Sequence, residues 1–390
     1  MTAPIHLAVA LDGAGWHPAA WREESARPTE LLSPRYWIDQ VRTAQDGLLD
    51  LVTLEDSLTL RHGTTPDRPR NDTVAGHLDA TLIASRVAPA TSSIGIIPTA
   101  VVTHTEPFHL SKAIATLDYV STGRAGVRLR VSARDDEARL IGRREIADHP
   151  LDDLLAEAGD YAEVLRRLWD SWEDDAEIRD VATGRFVDRD KLHYIDFEGR
   201  FFSVRGPSIT PRPPQGQPVI AALAHRDPVY HFAGAAADLT FITPRDADDT
   251  RDIVGRIGAA RSAAGRDDEV GHVFVDLAVF LGATDAAAAT RKERLDDRAE
   301  AEFTSDAEIF VGTAAGLADR ISDLVGPHTG ATGVRLRPGA IPDDLESITR
   351  ELVPELQRRN QFRTEYAEST LRERLGLTRP ANRYAQAGAR

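Results

Sequence analysis

The sequence predicts an α/β fold in which eight strands and the helices between them close into a (β/α)8 barrel. Short apolar runs alternate with segments of helical period along most of the 390 residues. This order is typical of parallel strands joined by right-handed crossovers. Eight such runs occur, which is the number of strands in the barrel. No G-x-G-x-x-G motif follows the first run, and this weakens the rival prediction of an open, doubly wound sheet.

The eight apolar runs are the predicted strands of the barrel, since each is short and bounded by turn-forming or polar residues. They span residues 5–11, 51–54, 94–97, 125–131, 219–222, 239–242, 273–281 and 334–336.

Helices are predicted between these runs from apolar side chains that recur three and four positions apart. The best marked begins at Pro107, presents Leu110, Ile114 and Leu117 on one face and ends near Gly123. Proline suits a first helical turn and glycine suits the position just after a helix. Further helices are predicted over residues 36–44, 73–87, 161–169 and 314–325, and after Pro342.

The chain is longer than the roughly 250 residues of a simple barrel, and the excess is predicted to lie in insertions. One insertion covers residues 173–216, which are polar and then proline-rich, and another covers the charged residues 291–310. Either could roof a site at the barrel mouth. Residues 1–360 are therefore predicted to form one barrel domain. The arginine-rich tail 361–390 is expected to wrap the surface or a partner.

Composition excludes several classes of function. The formal net charge is −15, which argues against binding to nucleic acid or an acidic membrane, because such partners need basic patches. There is no cysteine, so disulfides and thiolate chemistry are excluded. No metal-ligand spacing, signal peptide or run of roughly 20 apolar residues is present. An acidic cytoplasmic enzyme is the expectation.

Functional side chains in such a barrel gather after the carboxyl ends of the strands. Asp56 follows the second predicted strand, and Thr99 and His104 follow the third. Ser132 follows the fourth. Each has a plainer interpretation, because Asp56 could cap a helix and His104 could be a packing histidine.

Three arginines and a histidine indicate an anionic ligand. Arg128 and Arg130 alternate with apolar residues, so they share one face of a strand. If that face points into the barrel, the two charges need partners, either a ligand or carboxylates from neighbouring strands. His225 and Arg226 lie after the fifth strand and before a predicted helix start, where phosphate or carboxylate is favoured. A helix-capping loop with a solvated arginine is the alternative there.

Three segments resemble the bacterial luciferase-like flavin monooxygenases, in particular the branch that oxidises small amines, sulfones and chelators. They are IGIIPTAVVTHTEPFHLSKAIATLDYVSTGRAG at 94–126, LWDSWEDD at 168–175 with the sequence that follows to 220, and VGTAAGLADRI at 311–321. The resemblance covers roughly residues 5–360. It implies a (β/α)8 barrel with insertions that, with reduced FMN from a separate flavin reductase and molecular oxygen, oxidises a small organic substrate. It also implies a homodimer or homotetramer.

The resemblance also implies roles for single residues. Asp56 and Thr99 fall where the family keeps residues beside the flavin ring, and Ser132 matches the serine that ends its fourth strand. His104 lies in the loop near the substrate or the ring and is the predicted acid–base or substrate-contacting residue. Arg128, His225 and Arg226 are the predicted anchors of the phosphate.

Three departures from the family pattern affect this phosphate. Arg128 stands where the family has asparagine, and Leu154–Leu155 stand where it has an Arg-Tyr pair. After the fifth strand the family's Ser-x-x-Gly loop is lost, with Val229 at its glycine. A β-branched side chain does not allow the close backbone approach that glycine gives. Two hypotheses remain open: the cations rebuild a site for FMN or a deazaflavin, or the chain has lost flavin and is a partner subunit.

Overall fold

The computed structural model describes residues 5–61 and 70–385 and shows a closed barrel of parallel strands. The strands of these residues, in chain order, are β1 (His6–Leu11), β2 (Leu51–Leu54), β3 (Gly95–Val101), β4 (Gly126–Arg130), β5 (Glu177–Asp180), β6 (Arg185–Val187), β7 (Phe197–Glu198), β8 (Ser203–Val204), β9 (Val219–Ala224), β10 (Leu239–Ile242), β11 (His272–Leu281), β12 (Glu308–Gly312) and β13 (Gly333–Pro338).

The helices lie between the strands and after the last of them. They are α1 (Pro34–Asp46), α2 (Ala80–Val87), α3 (Pro107–Ser121), α4 (Asp135–Ile141), α5 (Leu151–Asp170), α6 (Asp227–Ala236), α7 (Ala247–Ala263), α8 (Asp285–Ala299), α9 (Ala314–Leu324), α10 (Asp343–Ser347), α11 (Val353–Arg358) and α12 (Leu371–Arg374). None of the helices in the described ranges is long and apolar enough to cross a bilayer.

Eight strands form the barrel, and each pairs in parallel with its two neighbours. Their order around the barrel is β1, β2, β3, β4, β9, β10, β11 and β13, and β13 returns to β1. β12 lies outside the barrel and pairs with the second half of β11. All eight apolar runs predicted from the sequence are barrel strands, and the predicted fold class is confirmed.

The predicted helix over residues 73–87 is wrong in its first half. Residues 73–79 are not helical, and α2 starts at Ala80 because Asp79 accepts a hydrogen bond from the backbone N–H of Leu82. The carboxylate of Asp56 also accepts one from the N–H of Ala80, at 2.8 Å. Both carboxylates satisfy free amides of the first turn, and this fixes the start of the helix.

The two insertions take different positions. Residues 173–216 form the hairpins β5–β6 and β7–β8, which lie beside the ends of α3 and α5. Trp172 donates to the carbonyl of Ser208, and Tyr119 donates to that of Arg212. Of the second predicted insertion, 291–310, the first part belongs to α8 and the end to β12, and residues 301–306 between them line the cavity at the mouth. None of the residues 173–216 lines that cavity.

The barrel interior is divided into an apolar lower half and a charged upper half. Inward-facing side chains near the amino ends of the strands, among them Leu51, Ile97, Phe241 and Phe274, form one buried cluster. The next inward positions toward the mouth carry paired charges. The division places the hydrophobic stabilisation at the lower end and leaves the upper end polar.

The tail closes the lower end of the barrel. Leu371, Leu375 and Leu377 belong to the apolar interior cluster, and Leu371 has no exposed surface. A Cβ on Gly95 would lie 2.5 Å from the Leu371 side chain, so β3 needs glycine where the tail enters. Arg374 donates to the carbonyl of Ser93 at 2.6 Å. The tail therefore packs as part of the barrel core.

We expect Leu371→Ala to destabilise the protein by about 2–5 kcal/mol, because it removes buried methyl groups and leaves a cavity. Leu82→Ala is the matched control, since Leu82 is 71% exposed, and should change stability little. Denaturant unfolding measures both. Equal effects of the two substitutions would contradict the tail's role in the core.

A buried histidine joins the tail to the barrel. His272 is the first residue of β11, and its Nε2 lies 2.5 Å from the carbonyl oxygen of Leu375. Its Nδ1 lies 3.0 Å from the hydroxyl of Thr332. Burial, and secondarily the ring of His6, lowers the pKa of His272 to about 4. The imidazole is therefore neutral in the folded protein at neutral pH.

Folding stability should fall as the pH is lowered from about 6.5, the unfolded value, toward 4. The pKa of His272 is lower in the folded protein than in the unfolded chain, so the unfolded chain takes up a proton first as the pH falls. The folded state therefore loses stability relative to the unfolded state over this pH range. The loss is roughly 3 kcal/mol at most. His272→Gln should flatten this part of the stability profile, whereas His109→Gln, at an exposed position, should leave it as in the native chain.

Candidate active site at the barrel mouth

The floor of the mouth is a layer of buried ion pairs inside the barrel. Arg335 donates to Asp276 through two nitrogens, and Arg337 donates to the same carboxylate at 2.5 and 2.9 Å. None of these three side chains is more than 1% exposed. The guanidinium of Arg335 also lies 3.9 Å from the ring centroid of Phe241. Asp276 carries one negative charge against these two arginines, and Asp306 supplies the second carboxylate through its ion pair with Arg337.

Arg128 belongs to this layer and is already neutralised. Its Nη2 contacts the carboxylate of Glu55, and its Nε donates to the hydroxyl of Thr99 at 3.0 Å. Glu55 also lies 3.3 Å from Arg335. Burial lowers the pKa of Arg128 to about 10, although Glu55 opposes the shift. The side chain of Arg128 points into the barrel, as predicted. Of the two predicted partners, a ligand or a carboxylate from a neighbouring strand, the carboxylate of Glu55 is the one that pairs with it.

The roof is attached to the floor by one ion pair. Asp306, in the loop before β12, accepts from Arg337 at 2.5 Å. Burial raises the pKa of Asp306, and Arg337 more than offsets this, so that the pKa lies below its usual range. The guanidinium of Arg337 also stacks 4.7 Å from the Trp16 ring centroid. Arg337 of β13 therefore contacts both the roof loop and the loop after β1.

A cavity of about 450 Å³ lies at the mouth, between the roof loop and the loops after β1 and β2. Trp16 and Phe303 give it apolar surface, while Arg61 and Arg130 line its polar side. Its size is within the range of small-molecule sites. A larger groove of about 1280 Å³ lies on the outer wall between α5, α6 and the tail, and Asp227 and Pro228 at the start of α6 line one end of it.

Asp56 is held at the start of α2. Its Oδ1 accepts from the backbone N–H of Ser57 at 2.7 Å and lies 3.0 Å from His77, and its Oδ2 accepts from the N–H of Ala80. The contact with Ala80 is the helix cap of the alternative interpretation, and the contacts with Ser57 and His77 hold the loop after β2. Arg130 donates to the Asp56 carbonyl at 2.9 Å, which joins β4 to this loop.

The loops that carry His104 and Ser132 are joined by a hydrogen bond. The backbone N–H of Ser132 donates to the hydroxyl of Thr103 at 2.9 Å. His104 is 6% exposed, and neither ring nitrogen has a hydrogen-bond partner among the described residues. Burial and the nearby Arg144 lower the pKa of His104. A buried, neutral imidazole with free nitrogens can exchange a proton with a bound molecule.

His225 and Arg226 lie at the start of α6 on the same end of the barrel. Both side chains are exposed, and no ion pair or side-chain hydrogen bond of Arg226 occurs among the described residues. Arg226 is the residue before the helix, with an extended backbone (φ −162°). Its charge is therefore available to an anion. Asp227, the next residue, pairs with Arg256 at 2.7 Å.

The structure brings the predicted residues together in two groups. Thr99 and Arg128 meet inside the barrel, while His104 and Ser132 meet on the loops above β3 and β4. Asp56 lies in the loop after β2 and caps α2 through Ala80, and His225 and Arg226 precede α6. Sequence reasoning missed Asp276, Arg335, Arg337 and Asp306, and it did not pair Glu55 with Arg128. The alternation of Arg335 and Arg337 in β13 repeats that of Arg128 and Arg130, and this was the available signal.

Comparison with known proteins gives a consistent result. The family model for luciferase-like monooxygenases matches residues 15–307. The N-acetyl-S-(2-succino)cysteine monooxygenase of Bacillus subtilis (strain 168) is 29% identical over 98% of both chains. Nitrilotriacetate monooxygenase component A of Aminobacter aminovorans is 29% identical over 96% of both. The crystal structure of a long-chain alkane monooxygenase superposes with a TM-score of 0.86 at 23% identity, over 96% of each chain.

We expect Glu55→Gln to destabilise the protein by about 3–5 kcal/mol, because it leaves the buried Arg128 unpaired. The double variant Glu55→Gln, Arg128→Met should recover a large part of this loss. Asp248→Asn, at an exposed ion pair with Arg251, is the control and should have little effect. Denaturant unfolding measures the free energy of unfolding of the single and double variants. Additive effects of the two buried substitutions would contradict the pairing.

Proposed function

Because the chain belongs to the luciferase-like monooxygenase family, we propose that it uses reduced FMN and molecular oxygen to oxidise a small organic substrate. The family match, which extends over three quarters of the chain, carries this proposal. The relatives it resembles end to end are named monooxygenases, and one of them is named as a component. We therefore propose a transient partner, a flavin reductase that supplies the reduced cofactor.

The residues at the start of α6 fit the phosphate of such a cofactor. Arg226 offers a guanidinium without a carboxylate partner among the described residues, and His225 lies beside it. The dipole of the helix that follows favours an anion at this end, whereas Pro228 carries no N–H and the amides of Val229 and Tyr230 already donate to the Arg226 carbonyl. Val229 prevents the close approach of the backbone that glycine would give. We propose that the long side chain of Arg226 holds the phosphate in place of a backbone cradle.

The remaining predicted residues support the ring end of the site. Thr99 is 1% exposed and Ser132 is 2% exposed, so their proposed role is to hold the floor and the loop of His104 in position. Asp56 holds α2 beside them. Glu55 neutralises Arg128, so Arg128 is not the proposed anchor of the phosphate.

His104 is the proposed acid–base residue. Its two nitrogens are free of protein partners in the described ranges, and its lowered pKa favours the neutral imidazole, which can accept a proton at neutral pH. The cofactor supplies electron transfer and oxygen activation, while the protein binds, orients and excludes water. The cavity of about 450 Å³ under the roof loop is the proposed position of the substrate.

A second candidate function is favoured by the neutralisation of the floor arginines. Since Glu55 already neutralises Arg128 and the family's phosphate loop is replaced, the chain could be a subunit that binds no flavin. A deazaflavin cofactor is the other alternative. Titration of the purified protein with oxidised FMN, reduced FMN and a deazaflavin separates the three, because each hypothesis names a different ligand or none. A homodimer or homotetramer remains part of the proposal and is measured by light scattering.

Arg226→Ala should weaken binding of reduced FMN about 10- to 100-fold, the loss of one charged hydrogen bond of roughly 1.5–3 kcal/mol. Anaerobic titration followed by calorimetry measures the dissociation constant. Arg189→Ala is the matched control, because Arg189 is 93% exposed and lies in the insertion, and should leave affinity unchanged. Equal affinity in both variants would remove Arg226 from the phosphate site.

A further inference from the structure

The carboxylate of Asp296 holds the roof loop, residues 301–306, against the end of α8. The helix ends at Ala299, and the backbone N–H of Ala301 donates to the carbonyl of Asp296 at 3.2 Å. Two residues later, the N–H of Phe303 donates to the side-chain Oδ1 of Asp296 at 2.8 Å. Phe303 is 8% exposed and lines the cavity of the mouth. One carboxylate therefore sets the position of an apolar wall of that cavity.

His17, in the loop after β1, contacts the same carboxylate oxygen. It is 1% exposed, and its Nε2 lies 3.0 Å from Oδ1 of Asp296. Its Nδ1 accepts the backbone N–H of Ala19 at 3.0 Å. A ring nitrogen that accepts carries no hydrogen, so the imidazole is neutral with its proton on Nε2. The ring centroids of His17 and Phe303 lie 5.3 Å apart, so the roof loop packs directly on the imidazole.

A second proton on His17 is incompatible with these contacts. It would lie on Nδ1, facing the N–H of Ala19, and this amide would lose its acceptor. Burial lowers the pKa of His17, although the hydrogen bond to Asp296 opposes the shift. If the roof loop moves away, the imidazole reaches water and regains the usual pKa of about 6.5. Because the open form binds the proton more readily, acid shifts the population toward the open form.

Two other charged groups act on His17, Lys292 and Glu23. Lys292 donates to Oδ2 of Asp296 at 2.7 Å, so the carboxylate that His17 contacts is already paired with a cation. Glu23, in the same loop as His17, pairs with two arginines of α8, Arg294 and Arg298. These ion pairs join the loop to α8 whatever the charge of His17. Protonation of His17 therefore acts on the roof loop rather than on the whole mouth.

The far end of the roof loop is attached separately. Asp306 forms an ion pair with the buried Arg337 of β13. Burial raises the pKa of Asp306, and Arg337 more than offsets this, so the carboxylate stays ionised between about pH 7 and 5. The part of the roof loop that can open when His17 is protonated is therefore 301–305.

We propose that His17 and Asp296 form a pH-sensitive latch, which holds the roof loop closed over the cavity until His17 takes up a proton. In the closed form the Asp296 carboxylate receives the imidazole N–H and the Phe303 N–H, and the Phe303 ring is a wall of the cavity. In the open form His17 is protonated, the hydrogen bond of the Phe303 amide is broken and the cavity is open to solvent. This rests on the proposed function only in taking the cavity as the position of the substrate.

Hydrogen exchange of the Phe303 amide, followed by NMR, tests the latch in protein without cofactor. Its protection factor, corrected for the intrinsic exchange rate at each pH, should fall as the pH is lowered from about 7 to 5, by at most about tenfold per pH unit for one proton. His17→Gln should give a flat profile, because glutamine keeps an N–H for Asp296 and does not titrate. His109→Gln, at an exposed position, is the matched control and should keep the native profile. A fall in His17→Gln as steep as in the native protein would overturn the proposal.

Replacement of the acceptor gives a second comparison. Asp296→Asn should lower the protection factor of the Phe303 amide about tenfold at neutral pH, because a hydrogen bond to a charged group is lost. Asp297→Asn is the matched control, since Asp297 is the next residue of α8 and is exposed, and it should leave the protection factor unchanged. Equal protection in the two variants would overturn the role of Asp296.

The native protein provides a further test, which applies even if the variants at His17 and Asp296 fail to fold. With labelled imidazole nitrogens, His17 should show the Nε2–H tautomer at neutral pH, and the protection of the Phe303 amide should fall over the pH range in which His17 titrates. An Nδ1–H tautomer, or protection that is constant through that titration, would overturn the proposal. None of these measurements uses flavin, so failure of the latch and failure of the proposed function are distinguishable.

Discussion

Charge neutrality inside the barrel is the constraint on which the rest of the mouth depends. Three arginines face the interior, and a buried charge without a partner is strongly unfavourable. Asp276 receives two of them, one of which also pairs with Asp306, and Glu55 receives the third. Because these residues come from β4, β11, β13 and the residue that follows β2, the ion pairs fix the register of the barrel walls at the level where the loops begin. The loops that carry His104 and Arg226 therefore start from a rigid base.

The position of the charges explains why the loops, rather than the floor, hold the groups available to a ligand. Every charged side chain of the floor is matched by another. Outside it, His104 and Arg226 are without partners among the described residues. A ligand that entered the mouth would meet satisfied groups below it and unsatisfied groups at its sides. The chemical capacity of this protein thus lies in the segments after β3, β4 and β9.

The strand order was predictable from the sequence, whereas the pairing of charges was not. Apolar runs reveal a strand locally, and all eight were found in this way. Arg128 was correctly expected to point inward, but its partner Glu55 is 73 residues away, and no local pattern states that two distant strands are neighbours. Asp276 was hidden in an apolar run. The start of α2 was missed because the cap at Asp79 competes with an apolar period that continues upstream of it.

The closure of the lower end by Leu371 and its neighbours has a consequence for how the molecule is made. These residues leave the ribosome after all eight strands have been synthesised, yet they fill the space between the first of those strands. Until they arrive, the nascent barrel has an open base whose apolar lining faces water. The eight strands alone therefore leave part of the apolar interior uncovered, and the segment of Leu371 covers it.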